Sequence, residues 1–397
     1  MNMYDLKYEK KFKTGLNFPD FFYRYSNLLN SDKINIIIIK DKFDQSTFRY
    51  RGYNVIQTMK NNKKYNVNCF LYKELGELYS ILDKLDLVIL QRAVWSFELE
   101  SFISILKKNN IKVIFDIDDL IYSPRYVPKY LNNVSRYDNQ TINYYFSYSK
   151  RLELIAGMCD GFIVTTQNLC KNIKKDFNKP VWIFHNYLNL EQEKVSKEII
   201  ELKKESFSNK IFLIGYFSGS NSHKRDLEIV EPALLKLIDK YENIYLKIVG
   251  YMKLSKELQK LKEERRIIFS EYVSFEELQY EIGKVDLNIV PLQKHEFNDC
   301  KSELKYFEAS IVNTLTLATD NVVYQNCIDD GIDGFLSDEF SWFEKIEYIY
   351  LNYLKLQNIV DNARIKCLKE YGNQKQENNL EKMYDDIFDT FNKITDD

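Results

Sequence analysis

From residue 34 onward, short apolar runs alternate with amphipathic stretches. Ile34-Asn-Ile-Ile-Ile-Ile-Lys40 is an almost unbroken β-branched run, the pattern of a strand buried on both faces. Further strands are predicted near Val67–Tyr72 and at Asp86–Leu90, Lys112–Phe115, Asp160–Thr166 and Pro180–Phe184. Between them the spacing of apolar positions predicts helices over Lys73–Leu85, Ser96–Asn109, Arg151–Cys159 and Gln167–Phe177. A second series has strands at Ile211–Tyr216, Tyr245–Val249, Ile267–Phe269, Asp286–Val290 and Thr314–Thr319. Its helices are predicted over Leu227–Tyr241, 254–266, from Ser302 as N-cap, over Phe340–Tyr353 and Gln357–Lys369, and in the tail after Asn373. Strand–helix–strand units of this length specify parallel pairing with right-handed crossovers. Three stretches fall outside the pattern: a polar, aromatic leader with a helix around Phe18–Leu29, a Tyr- and Asn-rich stretch 122–148, and a charged stretch after Leu190. The second, with Pro124 and Pro128, reads as a flexible segment lining a cleft, and the third as a partly helical link between domains.

The chain has 397 residues and 45% apolar content, enough for two ordinary domains. A formal net charge of -2 gives no basic field of the kind that nucleic acid requires. The six cysteines form no CxxC pair, a usage that suits reduced thiols and a cytoplasmic setting rather than a disulfide framework or zinc site. The opening MNMYDLKYEKKFK lacks an apolar signal core, and no run reaches the length of a membrane span. The basic, aromatic stretch 7–25 has the composition of a peripheral contact with the inner face of a membrane.

In a doubly wound sheet, ligands gather at the carboxyl ends of the strands. After Asp286–Val290 comes a polar loop, then Lys301, Ser302, Lys305 and Glu308 at the start of a helix. Unpaired N–H groups and the helix dipole favour an anion there, and two lysines add charge against the usual first-turn preference. Two solvated surface lysines are the plainer alternative. Glu308, on a half-buried stretch, is placed to accept ribose hydroxyls. The loop Phe217–Asp226 follows a strand and offers Gly219, Ser220, Lys224 and Arg225 to a phosphate, without the GKS ending of a Walker loop. Asp116, Asp118 and Asp119 crowd one strand end, so their pKa values must spread or a cation or hydrogen-bond donors must lie near. A capped helix start and a metal site are the other readings. Arg49 and Arg51 sit in the first loop and His185 ends a later strand, as contacts for acceptor or diphosphate or as plain structural residues.

These stretches resemble the family 4 retaining glycosyltransferases of GT-B fold, in a subgroup with a DxDD loop. The resemblance runs over roughly 34–395 and is firmest from 112. Glu308 matches the second Glu of the family's Glu-x7-Glu signature, while Cys300 stands where the first would be and Lys301 and Ser302 replace its glycines. Asp118 occupies the position of a His that contacts the donor sugar. Asp160–Thr166, Pro180-Val181 and Asn186 follow the order that ends the family's first domain. The loop 217–226 is similar to its Gly-Arg-Leu…Lys-Gly segment, with Lys224 on the Lys, and Gly250 and Tyr272 fall where the base is flanked.

The resemblance implies an α/β architecture of two Rossmann-like domains facing across a cleft: an acceptor domain 1–190, a link 191–209, a donor domain 210–372, and a C-terminal helix 373–397 crossing back. It implies a metal-independent, retaining transfer of a sugar from a nucleotide-diphosphate donor, a UDP-sugar first, to a glycan, lipid-linked or protein-linked acceptor in surface glycan or glycoprotein synthesis. Lys224, Asp118 and Glu308 would serve catalysis. Gly219, Ser220, Arg225, Gly250, Tyr272, Cys300, Lys301, Ser302 and Lys305 would hold the donor, and Arg49, Arg51, Asp119 and His185 would meet acceptor or diphosphate. No cofactor is implied beyond the donor itself. An inactive GT-B partner subunit, a nucleotide-sugar epimerase and a protein-binding scaffold are the competing readings.

Overall fold

The computed structural model describes residues 18–44, 46–131, 138–205, 211–219 and 224–396. Two six-stranded sheets carry it, and every strand pair is parallel. The first sheet contains β1 (Ile34–Lys40), β2 (Tyr65–Leu71), β3 (Leu87–Gln91), β4 (Lys112–Ile117), β5 (Gly161–Val164) and β6 (Val181–Ile183), in the order β2-β1-β3-β4-β5-β6. The second contains β7 (Phe212–Ser218), β8 (Ile244–Gly250), β9 (Ile267–Ser270), β10 (Leu287–Val290), β11 (Leu315–Thr319) and β12 (Phe335–Ser337), in the order β12-β11-β10-β7-β8-β9. Chain order therefore reverses between β1 and β3 in one sheet and between β7 and β10 in the other. At such a reversal the flanking helices leave on opposite faces and open a crevice at the strand ends.

Burial explains the apolar runs. Ile36, Ile37, Ile38 and Ile39 are all but inaccessible, because helices cover both faces of the sheet. The last helix, Asn373–Asp396, covers one face with Leu380, Met383, Tyr384, Ile387 and Phe391, packed against Ile36, Ile38 and Trp182. It is also tied to that sheet by Trp182 Nε1 donating to Asp386 at 2.6 Å. The helix Leu190–Glu205 runs through the stretch read as a link. Tyr53 and Gln57 bond to its Glu191, while its Lys203 ammonium donates to the carbonyls of Val312 and Asn313 at 3.2 and 2.7 Å, so it touches the elements of both sheets.

Four local expectations are corrected. Lys73–Leu85 is not one helix: tight turns at Tyr72–Glu74 and Tyr79–Lys84 flank a single α-turn, Leu75–Leu78. Glu74 is drawn back to the Leu71 N–H and to Arg24, and Ile81 leaves helical geometry at φ -129°. The loop after β1 instead forms a wide, π-type turn, Arg49–Tyr53, that continues into the helix Asn54–Met59. The stretch 122–148 holds a turn, Pro124–Tyr126, a short helix, Val127–Leu131, and the first half of a 20-residue helix, Asn139–Met158, which Asp138 caps at the Thr141 N–H. Finally, the helix after Lys301 is Leu304–Ser310, with Glu303 rather than Ser302 at its cap and no side-chain capping bond. Of the aromatic leader, residues up to 17 lie outside the described residues; Phe22 and Tyr23 beyond them are exposed. Among the described residues no helix is long and apolar enough to cross a membrane.

Candidate functional site

The strand ends of both switch points border one cleft of about 770 Å³. From the first sheet come Lys42, Arg49 and Tyr50 after β1, Arg92 after β3, and Asp118 and Asp119 after β4. From the second come Ser218 and Gly219 after β7, Gly250 and Tyr251 at β8, Tyr272 after β9, and Lys301, Ser302, Lys305 and Glu308 beyond β10.

The second wall is cationic and under-paired. Burial lowers the pKa of the Lys301 and Lys305 ammonium groups, that of Lys305 to about 8. The Lys305 ammonium is shut off from solvent and has no hydrogen-bond partner among the described residues; its closest aromatic support is the Tyr216 ring at 5.1 Å. A buried, unsolvated cation costs free energy unless an anion joins it. Beneath it, Gly250 has φ 105°, and a Cβ there would lie 1.9 Å from the Ser218 carbonyl oxygen. Only glycine fits, and it leaves bare backbone beside the lysines. Tyr251 and Tyr272 stand at the rim with rings nearly parallel, 5.4 Å apart.

Glu308 is 7% exposed and spans the cleft. Arg49 Nη2 donates to its Oε1 at 3.1 Å, and the Tyr50 hydroxyl makes a short bond to the same oxygen. Arg49 is 5% exposed, packed between the rings of Tyr50 and Phe275, and its Nε and Nη1 have no partner among the described residues.

The three carboxylates of the first wall each have an arginine. Arg92, in left-handed backbone at φ 44°, holds Asp118 through Nε and Asp119 through Nη2 at 2.5 Å. Asp116 is held by Arg51, whose Nη2 donates to Oδ2 at 2.6 Å. Burial still pushes the Asp116 and Asp119 carboxyls up. Two arginines thus relieve the repulsion expected among the three acids. Among the described residues no group of three His, Cys, Asp or Glu is arranged to hold a metal ion.

Not every expected residue reaches the cleft. Asp118, Asp119, Arg49, Glu308, Gly219, Gly250, Tyr272, Lys301, Ser302 and Lys305 line it. Arg51 does not: it is 3% exposed, and its Nη1 donates to the Phe184 carbonyl at 2.6 Å inside the first domain. Two helical residues separate side chains by roughly 200°, so Arg49 faces the cleft and Arg51 the core. Cys300 is also absent, its side chain buried in the first sheet's core and its carbonyl accepting from Thr166 at 3.0 Å. The N–H groups of Cys300 and Lys301 are spent on the Phe297 and Asn298 carbonyls. His185 follows β6, the edge strand farthest from the switch point, and faces Glu303 at 3.6 Å in a separate cavity. Arg225 is half-buried in the first turn of the helix Lys224–Lys240 and does not line the cleft. Ser220 and the Lys224 side chain lie outside the described residues. Sequence reasoning missed Arg92, Tyr50 and Tyr251; the basic residue just after β3 and the aromatic beside Gly250 were the available signals.

No family model matches the sequence, and no curated protein matches it. Solved structures do resemble it. Sucrose-phosphate synthase from Thermosynechococcus elongatus superposes with a TM-score of 0.63 at 12% identity, over 90% of this chain and 100% of that one. A glycosyltransferase from Rickettsia africae gives 0.62 at 14% identity, over 90% and 99%. HepE from Anabaena, in complex with UDP, gives 0.58 at 12% identity, over 89% and 100%; it is also described with UDP-glucose. At these identities the likeness is one of fold, and the fold is GT-B: two Rossmann-like α/β domains facing across a cleft.

Proposed function

We propose that the protein is a glycosyltransferase that takes a sugar from a nucleoside diphosphate, UDP first, and transfers it to a glycan acceptor with retention and without a metal. The observation that carries this reading is the buried Lys305 ammonium beside Lys301, without a hydrogen-bond partner among the described residues, on the wall of a cleft at two switch points. A diphosphate supplies the missing negative charge, and Gly219 and Gly250 let it approach the backbone. The complexes of HepE with UDP and UDP-glucose support UDP as the nucleotide.

In this reading the base lies against Tyr251 and Tyr272, and Glu308 accepts ribose hydroxyl protons through Oε2, since both protein bonds land on Oε1. As the anomeric bond breaks, charge gathers on the departing diphosphate while the sugar becomes oxocarbenium-like. Lys301 and Lys305 line the cleft where that charge gathers, and preorganised cations stabilise it where water is excluded. Asp118, fixed by Arg92, orients the donor sugar. The division into an acceptor domain 1–190, a donor domain 210–372 and a returning helix 373–397 belongs to the same proposal, as does work at the cytoplasmic face of a membrane.

A thermal-shift panel of UDP, GDP, dTDP and their sugars tests it, because a ligand that binds only the folded state raises its apparent stability. UDP and one UDP-sugar should raise the melting temperature. A panel with no shift for any nucleotide would overturn the reading. An inactive partner subunit would bind UDP yet neither hydrolyse nor transfer from any UDP-sugar.

A further inference from the structure

Arg49 is a cation of the cleft that the proposed donor chemistry leaves unused. It opens the wide turn Arg49–Tyr53 on the first-domain wall and is 5% exposed. Its guanidinium lies over the Tyr50 ring at 4.2 Å and over the Phe275 ring of the facing domain at 4.8 Å. Those two rings and one bond, from Nη2 to Glu308 Oε1 at 3.1 Å, fix its place. Nε and Nη1 are shut off from solvent and have no acceptor among the described residues. A buried donor without an acceptor is costly, and a ligand that closes over this wall can supply one.

The surroundings say what kind of acceptor fits. Glu308 is paired with the guanidinium directly, and Glu276 lies within its field. Two carboxylates against one cation leave no surplus charge for a phosphate, whereas Lys301 and Lys305, beyond β10, have it. The Arg49 charge also reaches Tyr272, where burial raises the phenol and the guanidinium opposes the rise. Arg49 therefore stands at the nucleoside end of the cleft and lacks a neutral partner. Glu308 gives the position: Oε2 is left for ribose hydroxyls, and Arg49 holds the adjoining Oε1. In a ribonucleoside the 2′-hydroxyl lies beside the sugar-side edge of the base. That edge carries an acceptor, the O2 carbonyl in a pyrimidine.

We infer that Arg49 is a specificity-determining residue that reads the base, donating its free N–H groups to the O2 carbonyl of a pyrimidine while Glu308 holds the ribose. The assignment rests on the nucleotide-sugar reading and deepens it. It takes Arg49 away from the diphosphate and makes recognition of the nucleoside depend on both walls, since the guanidinium comes from one domain and the carboxylate and tyrosine platform from the other.

Titration calorimetry of the full chain with UDP, UMP and two analogues, 2-thio-UDP and 4-thio-UDP, tests it. Sulfur is a weak acceptor, so 2-thio-UDP should bind wild type about tenfold more weakly than UDP, and 4-thio-UDP within about twofold of it. Arg49→Met should weaken UDP and UMP alike, by about tenfold, and should bind UDP and 2-thio-UDP equally. Because Arg49→Met takes away the Glu308 ion pair, it is also made together with Glu308→Gln, which removes the stranded charge; this pair should again bind UDP and 2-thio-UDP equally. Tyr50→Phe, which keeps the guanidinium, should keep the tenfold difference. Equal binding of UDP and 2-thio-UDP by wild type would overturn the assignment, as would a difference that survives in Arg49→Met. A loss in Arg49→Met that appears with UDP but not with UMP would return Arg49 to the diphosphate and overturn it too. If wild type binds no nucleotide, the nucleotide-sugar reading falls and this assignment with it; intact UDP binding without the sulfur effect sinks this assignment alone.

Discussion

Arg49 and Arg51 stand two residues apart on one turn, yet they belong to different economies of charge. Arg51 spends its donors inside the first domain, on Asp116, the Phe184 carbonyl and Asn186. Arg49 donates from one nitrogen to Glu308 of the facing domain, and its other two have no partner among the described residues. The same contrast holds between the walls of the cleft. On the first, each of Asp116, Asp118 and Asp119 has an arginine; on the second, the Lys305 ammonium has no hydrogen-bond partner among the described residues. A buried charge with a partner is architecture, because the pairing offsets part of its desolvation within the fold. A buried charge without one stores a cost that a ligand can relieve.

The largest effect should come from breaking architecture. Arg51→Met leaves the Asp116 carboxylate buried and alone, which costs on the order of 3–5 kcal/mol of stability. Urea denaturation should show it as a lower midpoint with an unchanged slope. Adding Asp116→Leu removes the stranded charge and should return most of the loss. If Arg51→Met is as stable as wild type, the pairing of the first wall is not what holds that strand end.

Next comes the opposite experiment on the other wall. Lys305→Met removes a cost rather than a contact, so the free protein should melt higher than wild type. Transfer should fall by roughly 10²–10³, the usual loss when one stabiliser of developing charge is removed. Stability and activity thus move in opposite directions here and together at Arg51. The pH dependence has the same sign. Burial lowers the Lys305 pKa from 10.5 to about 8. Between those values the unfolded chain keeps a proton that the folded chain has lost, so folding gains as pH rises through that window. Below pH 8 both states are protonated and the burial cost stands in full. Anion binding needs the proton, so UDP affinity should fall above pH 8, by up to about tenfold per unit. Titration calorimetry across pH 7 to 10 checks this; in Lys305→Met the slope should flatten.

Much of this was legible in the chain. The runs at Ile34–Lys40 and Asp86–Leu90 are strands because only a sheet covered on both faces tolerates so little polarity. The small and basic residues after β7 and β10 could be placed at strand ends from the sequence, and of them Gly219, Lys301, Ser302 and Lys305 line the cleft. Arg49 and Arg51 could not be told apart, because a sequence read as loop has no phase, and it is the helical phase that turns one to the cleft and one to the core. The tyrosine stretch was read as flexible because tyrosine counts as both apolar and polar, which blurs the amphipathic period of Asn139–Met158. Cys300 was placed by counting back from Glu308, but the segment 296–301 is anchored instead on the first domain through Thr166 and Asn168.

The smallest effect sharpens the comparison from its other end. Cys300 and His185 carry site-like positions by resemblance or by strand end, but neither side chain lines the cleft. The Cys300 thiol accepts only a long bond from Asn172 at 3.5 Å, and burial raises its pKa to about 12, so it stays a neutral thiol. His185 is exposed and faces Glu303 at 3.6 Å. Cys300→Ser and His185→Ala should therefore change UDP affinity by no more than about twofold, the scatter of substitutions that touch no shared partner. A tenfold loss of UDP affinity in either variant would mean that the boundary of the site lies beyond the under-paired wall. Absence of a partner would then no longer mark where the ligand sits.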